Sequence, residues 1–268
     1  MYDISSKSCT PNKTDISLKN LDKQRIKQIV TSKLVADSGK YRLGLAWIAL
    51  KPMLTALLYM FVLTVVRANS NDWSILLGIG LLTIYSSSFM RGLNVHSNFD
   101  SGIKIERIYS KIIILSNMLF SSIQNAIQSM PIAMVLYLMT HSIDLVLSFL
   151  VIAQVLGLWS IGLGFFFSSF VKQTPDLIPI FSFVNMALFF LSPVLYSLSD
   201  APDNVISFSL YNPLTYFLEF SRCIYVADWS VFNNIPSNPL IVFSCSLFIS
   251  LNGFILFDKT RWKVSAWS

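Results

Sequence analysis

Apolar residues in this chain fall in blocks of about 20, with polar residues between the blocks rather than at alternate positions within them. Twenty residues of helix rise about 30 Å, the thickness of a hydrocarbon core. The uninterrupted apolar windows predict six membrane-spanning helices, over residues 45–67, 73–90, 111–140, 143–170, 177–195 and 238–257. The fold expected is an all-α membrane protein, with residues 1–40 a cytoplasmic tail and residues 41–268 a single six-helix transmembrane domain. An even number of crossings puts both termini on one side. All of the 20 Lys and Arg residues except Arg67 and Arg222 fall on that side. They lie in the amino tail through Lys51, in the connection holding Arg91, Lys104, Arg107 and Lys111, at Lys172, and in the carboxyl tail at Lys259, Arg261 and Lys263. The positive-inside bias makes that side cytoplasmic.

Two polar-flanked segments depart from this plan. Before the first window, Leu18, Leu21, Ile26, Ile29, Val30 and Leu34 recur at helical spacing among Lys19, Lys23, Arg25, Lys27 and Lys33. This predicts a basic amphipathic interface helix, suited either to an anionic leaflet or to a docking partner. Between the fifth and sixth windows, residues 196–237 face outward and contain the apolar, aromatic run "NPLTYFLEFSRCIYV". That run is too short to cross, which predicts short re-entrant or interfacial helices at the outer face. Glu219 and Arg222, three apart on such a helix, are spaced to pair.

Composition narrows the class. The chain of 268 residues is 54% hydrophobic and only 13% charged, with a mean hydropathy of +0.60, where soluble domains carry about 25% charged residues. The net charge of +6 follows the loops and forms no basic patch interleaved with aromatics, so no nucleic-acid partner is expected. Cys9, Cys223 and Cys245 are an odd number without a CxxC, which supports neither a disulfide framework nor a metal site. No apolar stretch of signal-peptide length occurs in residues 1–40, so that segment is expected to remain in the mature protein.

Several motifs then occur in order. "GKYRLGLAW", residues 39–47, is followed by Pro52; "LSPVLYSL" occupies residues 191–198; "NPLTYFLEFSR" occupies residues 212–222; and "IKIERIYSK" lies at residues 103–111. From about residue 20 onward the chain resembles the integral-membrane permease subunits of ABC exporters of long polysaccharides, in the type 2 class that serves capsular polysaccharide, O-antigen and teichoic acid export. The first motif is similar to that family's "G-x-x-x-L-G-x-x-W" opening, the second to the "SP" end of its fifth span, and the third to its outer "N-P-L…E…R" segment. The cytoplasmic segment follows the capsular branch at Lys104 and Lys111 but lacks its proline and aspartate. Lys51 stands where the family often has an acidic residue before the proline.

The resemblance implies an ATP-driven exporter in a bacterial inner or plasma membrane, moving a lipid-linked polysaccharide through a pathway built from two copies. No "GxxxxGK[ST]" phosphate loop occurs in the chain, so ATP and Mg are expected on a separate ATPase dimer and no cofactor on this chain. The long inner connection, with "HSNFDSGIKIERIY", is expected either to form a coupling helix against that ATPase, through Asn98, Phe99, Asp100 and Lys104, or to be a solvated basic loop. Resemblance places the first and fifth helices along the pathway, and with them Trp47, Tyr59, Phe181, Phe189, Phe190 and Tyr196 as surfaces on which the C–H faces of sugars slide. Asn212, Pro213, Glu219 and Arg222 become candidates for an outer gate.

Two further patterns leave alternatives open. Lys40, Arg42 and Lys51, with Gly44 allowing a close turn, are placed to receive a lipid phosphate at the inner leaflet; equally, Lys51 can snorkel, with Pro52 tolerated in a first helical turn. Asn117, Ser121, Gln124 and Gln128 form one polar stripe ahead of Pro131, either lining a hydrated path or gluing helices at about 0.6 kcal/mol per contact. Ser160, Gly164 and Ser168 form a small-xxx-small row, which serves packing within a subunit or a seam between two. His96 and His141, the two histidines, fall on opposite sides of the membrane, which argues against an enzyme; a passive channel would need no coupling loop. A type 2 permease for a small lipid or drug shares the topology and stands as the alternative.

Overall fold

The computed structural model describes residues 14–38, 44, 46–67, 72–95, 110–171, 173–198, 201–226, 229, 232 and 236–261. Among the described residues there is no strand. The helices are α1 (Thr14–Ser38), α2 (Ala46–Arg67), α3 (Asp72–Leu93), α4 (Ser110–Thr140), α5 (Ile143–Val171), α6 (Leu177–Leu191), α7 (Asp203–Ser209), α8 (Pro213–Val226) and α9 (Ser237–Arg261). The six apolar windows therefore become α2 to α6 and α9. Continuous stretches long and apolar enough to cross a bilayer lie at Ser74–Leu93, Ile143–Val171 and Ser237–Phe257, while Ala46–Tyr59 and Leu177–Leu191 are shorter apolar runs.

Two boundaries differ from the windows for a local reason, and one proline sits deeper in its helix than a first turn. The fifth window runs to residue 195, but α6 stops at Leu191, and Ser192 is extended at φ −95° and ψ 152°. Ser192 precedes Pro193, whose ring disfavours the helical region for the residue before it. The second window ends at residue 90, whereas α3 continues to Leu93 and takes Arg91 into its last turn. Arg91 is thus a helix residue and not a loop cation. Finally, α2 begins at Ala46, so Pro52 sits beyond the first turn, inside the helix. There it removes one intrahelical bond, the one that would reach the Ile48 carbonyl. At the end of α4, His141 adopts a left-handed φ of 51° and its N–H returns to the Tyr137 carbonyl at 2.8 Å, filling the cap position that glycine usually takes.

The core is built around α3. Each residue from Ser74 to Leu82 is buried, and α3 meets α2, α4, α5, α6 and α8. It crosses α5 at glycines. A Cβ on Gly164 would lie 2.4 Å from the Phe89 carbonyl oxygen and 2.8 Å from the Gly92 Cα, so the backbones touch without intervening side chains. Ser160, Gly164 and Ser168 are all buried, which turns the small-residue row inward, within one chain. On another face of α5, the Gly253 position of α9 approaches the Gly162 carbonyl equally closely.

The amphipathic α1 does not stand apart. Val30 is buried, and Ile26 and Ile29 pack on a cluster of Ile112, Ile113, Phe165 and Phe257, so part of its apolar face is taken by this chain's own helices. The outward surfaces are apolar: Leu54, Leu58 and Phe61 on α2, Met130, Met134 and Leu138 on α4, and Phe248, Leu251 and Ile255 on α9 are exposed. Such a surface suits acyl chains better than water. α6 has no buried residue at all. It is held by Phe181, whose ring centroid lies 4.9 Å from Phe167 and 5.8 Å from Phe89, and by a hydrogen bond from Asn185 to Ser86. Between α6 and α9 lie the short α7 and α8; at 14 residues, α8 rises about 21 Å, less than a hydrocarbon core.

Because two backbones meet at Gly164, Gly164→Leu is expected to destabilise the bundle by about 1–3 kcal/mol or more through overpacking. Thermal unfolding of the variant in lipid nanodiscs checks this.

Candidate functional site

A cavity of about 780 Å³ opens between the end of α1 and helices α2, α3, α4 and α6. The α2 wall carries Trp47, Ile48, Lys51, Pro52, Thr55 and Tyr59, and α6 contributes Ser182, Asn185, Met186, Phe189 and Phe190. Tyr59 and Phe189 close one side with ring centroids 4.9 Å apart, and Phe189 meets Phe190 edge-on at 5.0 Å. The opposing surface carries no charge and mixes polar residues, Thr83, Ser86 and Ser87 from α3 and Gln124 and Gln128 from α4, with the apolar Ile79, Leu82 and Met90 of α3. Asp37, at the end of α1, completes the lining.

Gly44 explains how α2 starts where it does. Its φ of 54° is a conformation that glycine adopts without strain, and its carbonyl accepts from the Trp47 N–H at 3.3 Å. That turn places Trp47 and, one helical turn later, Lys51 on the cavity side. Of the aromatics expected along a pathway, Trp47, Tyr59, Phe189 and Phe190 come together here, whereas Phe181 packs into the α3–α5 aromatic core and Tyr196 lies in the segment after α6. Lys40, Arg42, Asn98, Phe99, Asp100 and Lys104 lie outside the described residues.

Behind the polar wall is a network that the α4 stripe only half reveals. Arg91 Nη2 donates to Ser88 Oγ at 3.0 Å, Ser121 Oγ at 3.1 Å and Asn125 Oδ1 at 2.9 Å, and Nη1 donates to Gln124 Oε1. Gln124 in turn donates through Nε2 to Asp37 Oδ2 at 2.7 Å. Ser87 donates to Gln128 Oε1 at 3.1 Å. Lys33, one turn before Asp37, donates to Asn117 Oδ1 at 2.6 Å and sits over the Phe120 ring. The stripe therefore glues α4 to α3 and α1, and through Gln124 and Gln128 it also faces the cavity. Sequence reasoning missed Arg91, Asn125, Asn185 and Asp37. A signal was present: Ser87, Ser88 and Arg91 make a second polar row at three- and four-residue steps on the preceding helix.

The outer segment forms a separate buried cluster. Glu219 and Arg222 are 2% and 3% exposed, and Arg222 Nη1 donates to Glu219 Oε1 at 2.6 Å. Arg222 Nη2 also reaches the Val194 carbonyl at 3.0 Å and the Ser74 carbonyl at 3.4 Å, while Glu219 accepts from the Leu198 N–H at 3.2 Å. Asn212 donates to Ser192 Oγ at 2.7 Å and accepts from the Leu214 N–H at 3.1 Å, with Pro213 opening α8. The arrangement ties α8 to the segment after α6 and to the start of α3.

Two tests follow from these charges. Removing Arg222 alone strands the buried Glu219 carboxylate, so Arg222→Met is expected to cost about 3–5 kcal/mol, and Glu219→Gln/Arg222→Met to recover most of it; thermal unfolding in nanodiscs measures both. Burial, opposed by Asp37, holds Lys33 down to about 8 from 10.5. A depressed lysine favours the docked helix fully above about 10.5, and that contribution is lost as pH falls through about 8. Distances between spin labels at Gln28 and Leu119 should therefore show α1 docking tighten between those values, with Lys33→Met flat.

A family model described as ABC-2 type transporter matches residues 25–226, a span that includes both the cavity and the Arg222 cluster. No curated protein matches the chain.

Proposed function

We propose a function from one premise: the chain belongs to the ABC-2 type transporter membrane family and is the transmembrane component of an ABC transporter, served by an ABC ATPase. Our reading is that it exports a lipid-linked polysaccharide across a bacterial inner or plasma membrane. It would do so as two copies with six crossings each, tails inward, energised by a separate ATPase dimer that holds ATP and Mg.

The observation that carries this reading is the two-sided cavity. Trp47, Tyr59, Phe189 and Phe190 offer flat rings to the C–H faces of sugars, and Ser86, Ser87, Gln128 and Asn185 offer uncharged donors and acceptors to their hydroxyls. No fixed charge stands on that polar wall to hold a neutral glycan in place. Lys51, together with Lys40 and Arg42, would meet the anionic lipid anchor, with Gly44 setting the turn between them. Asn98, Phe99, Asp100 and Lys104 would contact the ATPase. Asn212, Pro213, Glu219 and Arg222 would form the frame of the outer gate.

The cavity's size favours a second reading. About 780 Å³ lies within the range of about 300–1,000 Å³ for small-molecule sites, which suits a permease for a small lipid or drug. Copurification with the ATPase followed by mass spectrometry of bound lipids and glycans separates the two. A lipid-linked oligosaccharide lost in Lys51→Ala/Phe189→Ala is the result expected; a bound lipid or drug without sugar would replace our reading with the second.

A further inference from the structure

Among the described residues lining the cavity, Asp37 and Lys51 are the charged ones, and they are of opposite sign. Asp37 comes from α1, outside the crossing helices, and a side-chain amide holds it there. Gln124 has its carbonyl fixed on Arg91 and its Nε2–H pointed at the Asp37 carboxylate, 2.7 Å away. With that orientation set by a buried guanidinium, the amide presents a donor to whatever oxygen sits at the Asp37 position. Lys51 stands on the α2 wall of the same cavity, and among the described residues no carboxylate pairs with it. If the end of α1 withdraws, Lys51 is left as the charged group among the described lining residues, and the Arg91 charge lies one amide behind the α4 wall.

We propose that Asp37 is a built-in occupant of an anion subsite formed by Gln124, backed by Arg91, and Lys51, and that a phosphate group of an incoming amphiphile takes its place and frees the end of α1. A phosphate carries more charge and more acceptor oxygens than one carboxylate, so it competes for the same donors. The aromatic wall of Trp47 and Tyr59 beside Lys51 receives whatever is attached to that phosphate. α1 acts as a latch: docked, its carboxylate occupies the anion position; displaced, it leaves Lys51 and the Arg91-backed amide of Gln124 to hold an anion. This rests on the reading of the chain as a carrier of a phosphate-anchored lipid, and it adds the residues that gate admission.

The test uses the full chain in phosphatidylcholine nanodiscs, titrated with dodecyl phosphate, dodecyl maltoside or inorganic phosphate. Binding is read from tryptophan emission, with Trp47→Phe as the control that localises the signal. Asp37→Asn, which keeps the size and loses the charge, and Asp37→Ala should bind dodecyl phosphate about tenfold more tightly than the parent chain, in the range of ordinary coupling between sites. Dodecyl maltoside should be unaffected, and Lys51→Gln should cancel the gain. In the parent chain, hydrogen exchange along Thr14–Ser38 should rise when dodecyl phosphate saturates.

Gains that require the alkyl chain assign the site to a lipid headgroup; the same gain with inorganic phosphate assigns it to free phosphate, and either supports the subsite. Equal affinity in the parent and in a folded Asp37→Asn, an equal gain for the maltoside, or no rise in exchange in the parent chain overturns the latch. In those cases tight dodecyl phosphate binding would leave the carrier reading standing. Binding of the maltoside alone, with no response to either phosphate, would remove the latch and the phosphate-anchored substrate together.

Discussion

Arg91 ends α3 in a place where a guanidinium has little water, and it survives there because α3 and α4 turn oxygen atoms toward it, with α1 one hydrogen bond further out. Ser88 comes from its own helix, Ser121, Gln124 and Asn125 from α4, and Asp37 from α1 by way of Gln124. A charge in such surroundings is tolerated only with a nearly full complement of acceptors. That requirement fixes the register of α4 against α3, since a shift of one residue would carry all three α4 acceptors off the contact. It also recruits α1, because the network is incomplete without a negative charge. The cavity inherits its polar wall from this arrangement: Gln124 serves the arginine with one end and the cavity with the other.

A second guanidinium works near the opposite end of the same helix. Arg222 binds Glu219 within α8 and reaches the carbonyls of Val194 and Ser74, so the start of α3, the segment after α6 and α8 converge on one buried ion pair. Beside Arg91, α3 touches α5 backbone to backbone where Phe89 and Gly92 meet Gly164. Hydrophobic burial cannot supply this specificity in a membrane, where acyl chains are as apolar as leucine, so directional contacts and close backbone approach carry it. α3 and α5 thereby form a rigid spine. α2 and α6 stand against that spine around the cavity, and their outward faces remain apolar.

Much of this was readable from the chain. The six apolar windows match α2 to α6 and α9 to within a few residues, because the length of a buried apolar run is set by the bilayer and hardly by tertiary context. Glu219 and Arg222 pair as their spacing required. The misses have one cause. Asp37, Arg91 and Asn185 each act across helices, and sequence shows only which face of one helix a residue occupies. Arg91 looked like a loop cation because charge ordinarily marks the end of a span, and only the facing row on α4 gives it acceptors. The first window opens within one residue of α2, so Pro52 lies six residues into the helix and not in the first turn that one of the two sequence readings allowed it. The aromatics divided for the same reason: Phe189 meets Tyr59 of α2 with Phe190 edge-on beside it, and Phe181, two turns earlier on α6, faces the core.

α6 is the least embedded of the apolar helices, without one buried residue, yet it supplies much of the cavity wall through Ser182, Asn185, Met186, Phe189 and Phe190. On the proposed reading of the cavity as the cargo path, fold and selectivity are written largely on different helices. Mutational drift along α6 meets little resistance from the core, so descendants of this chain are free to retune what they admit while keeping the spine intact. That separation gives the architecture evolvability: a lineage can diversify its cargo one exposed side chain at a time.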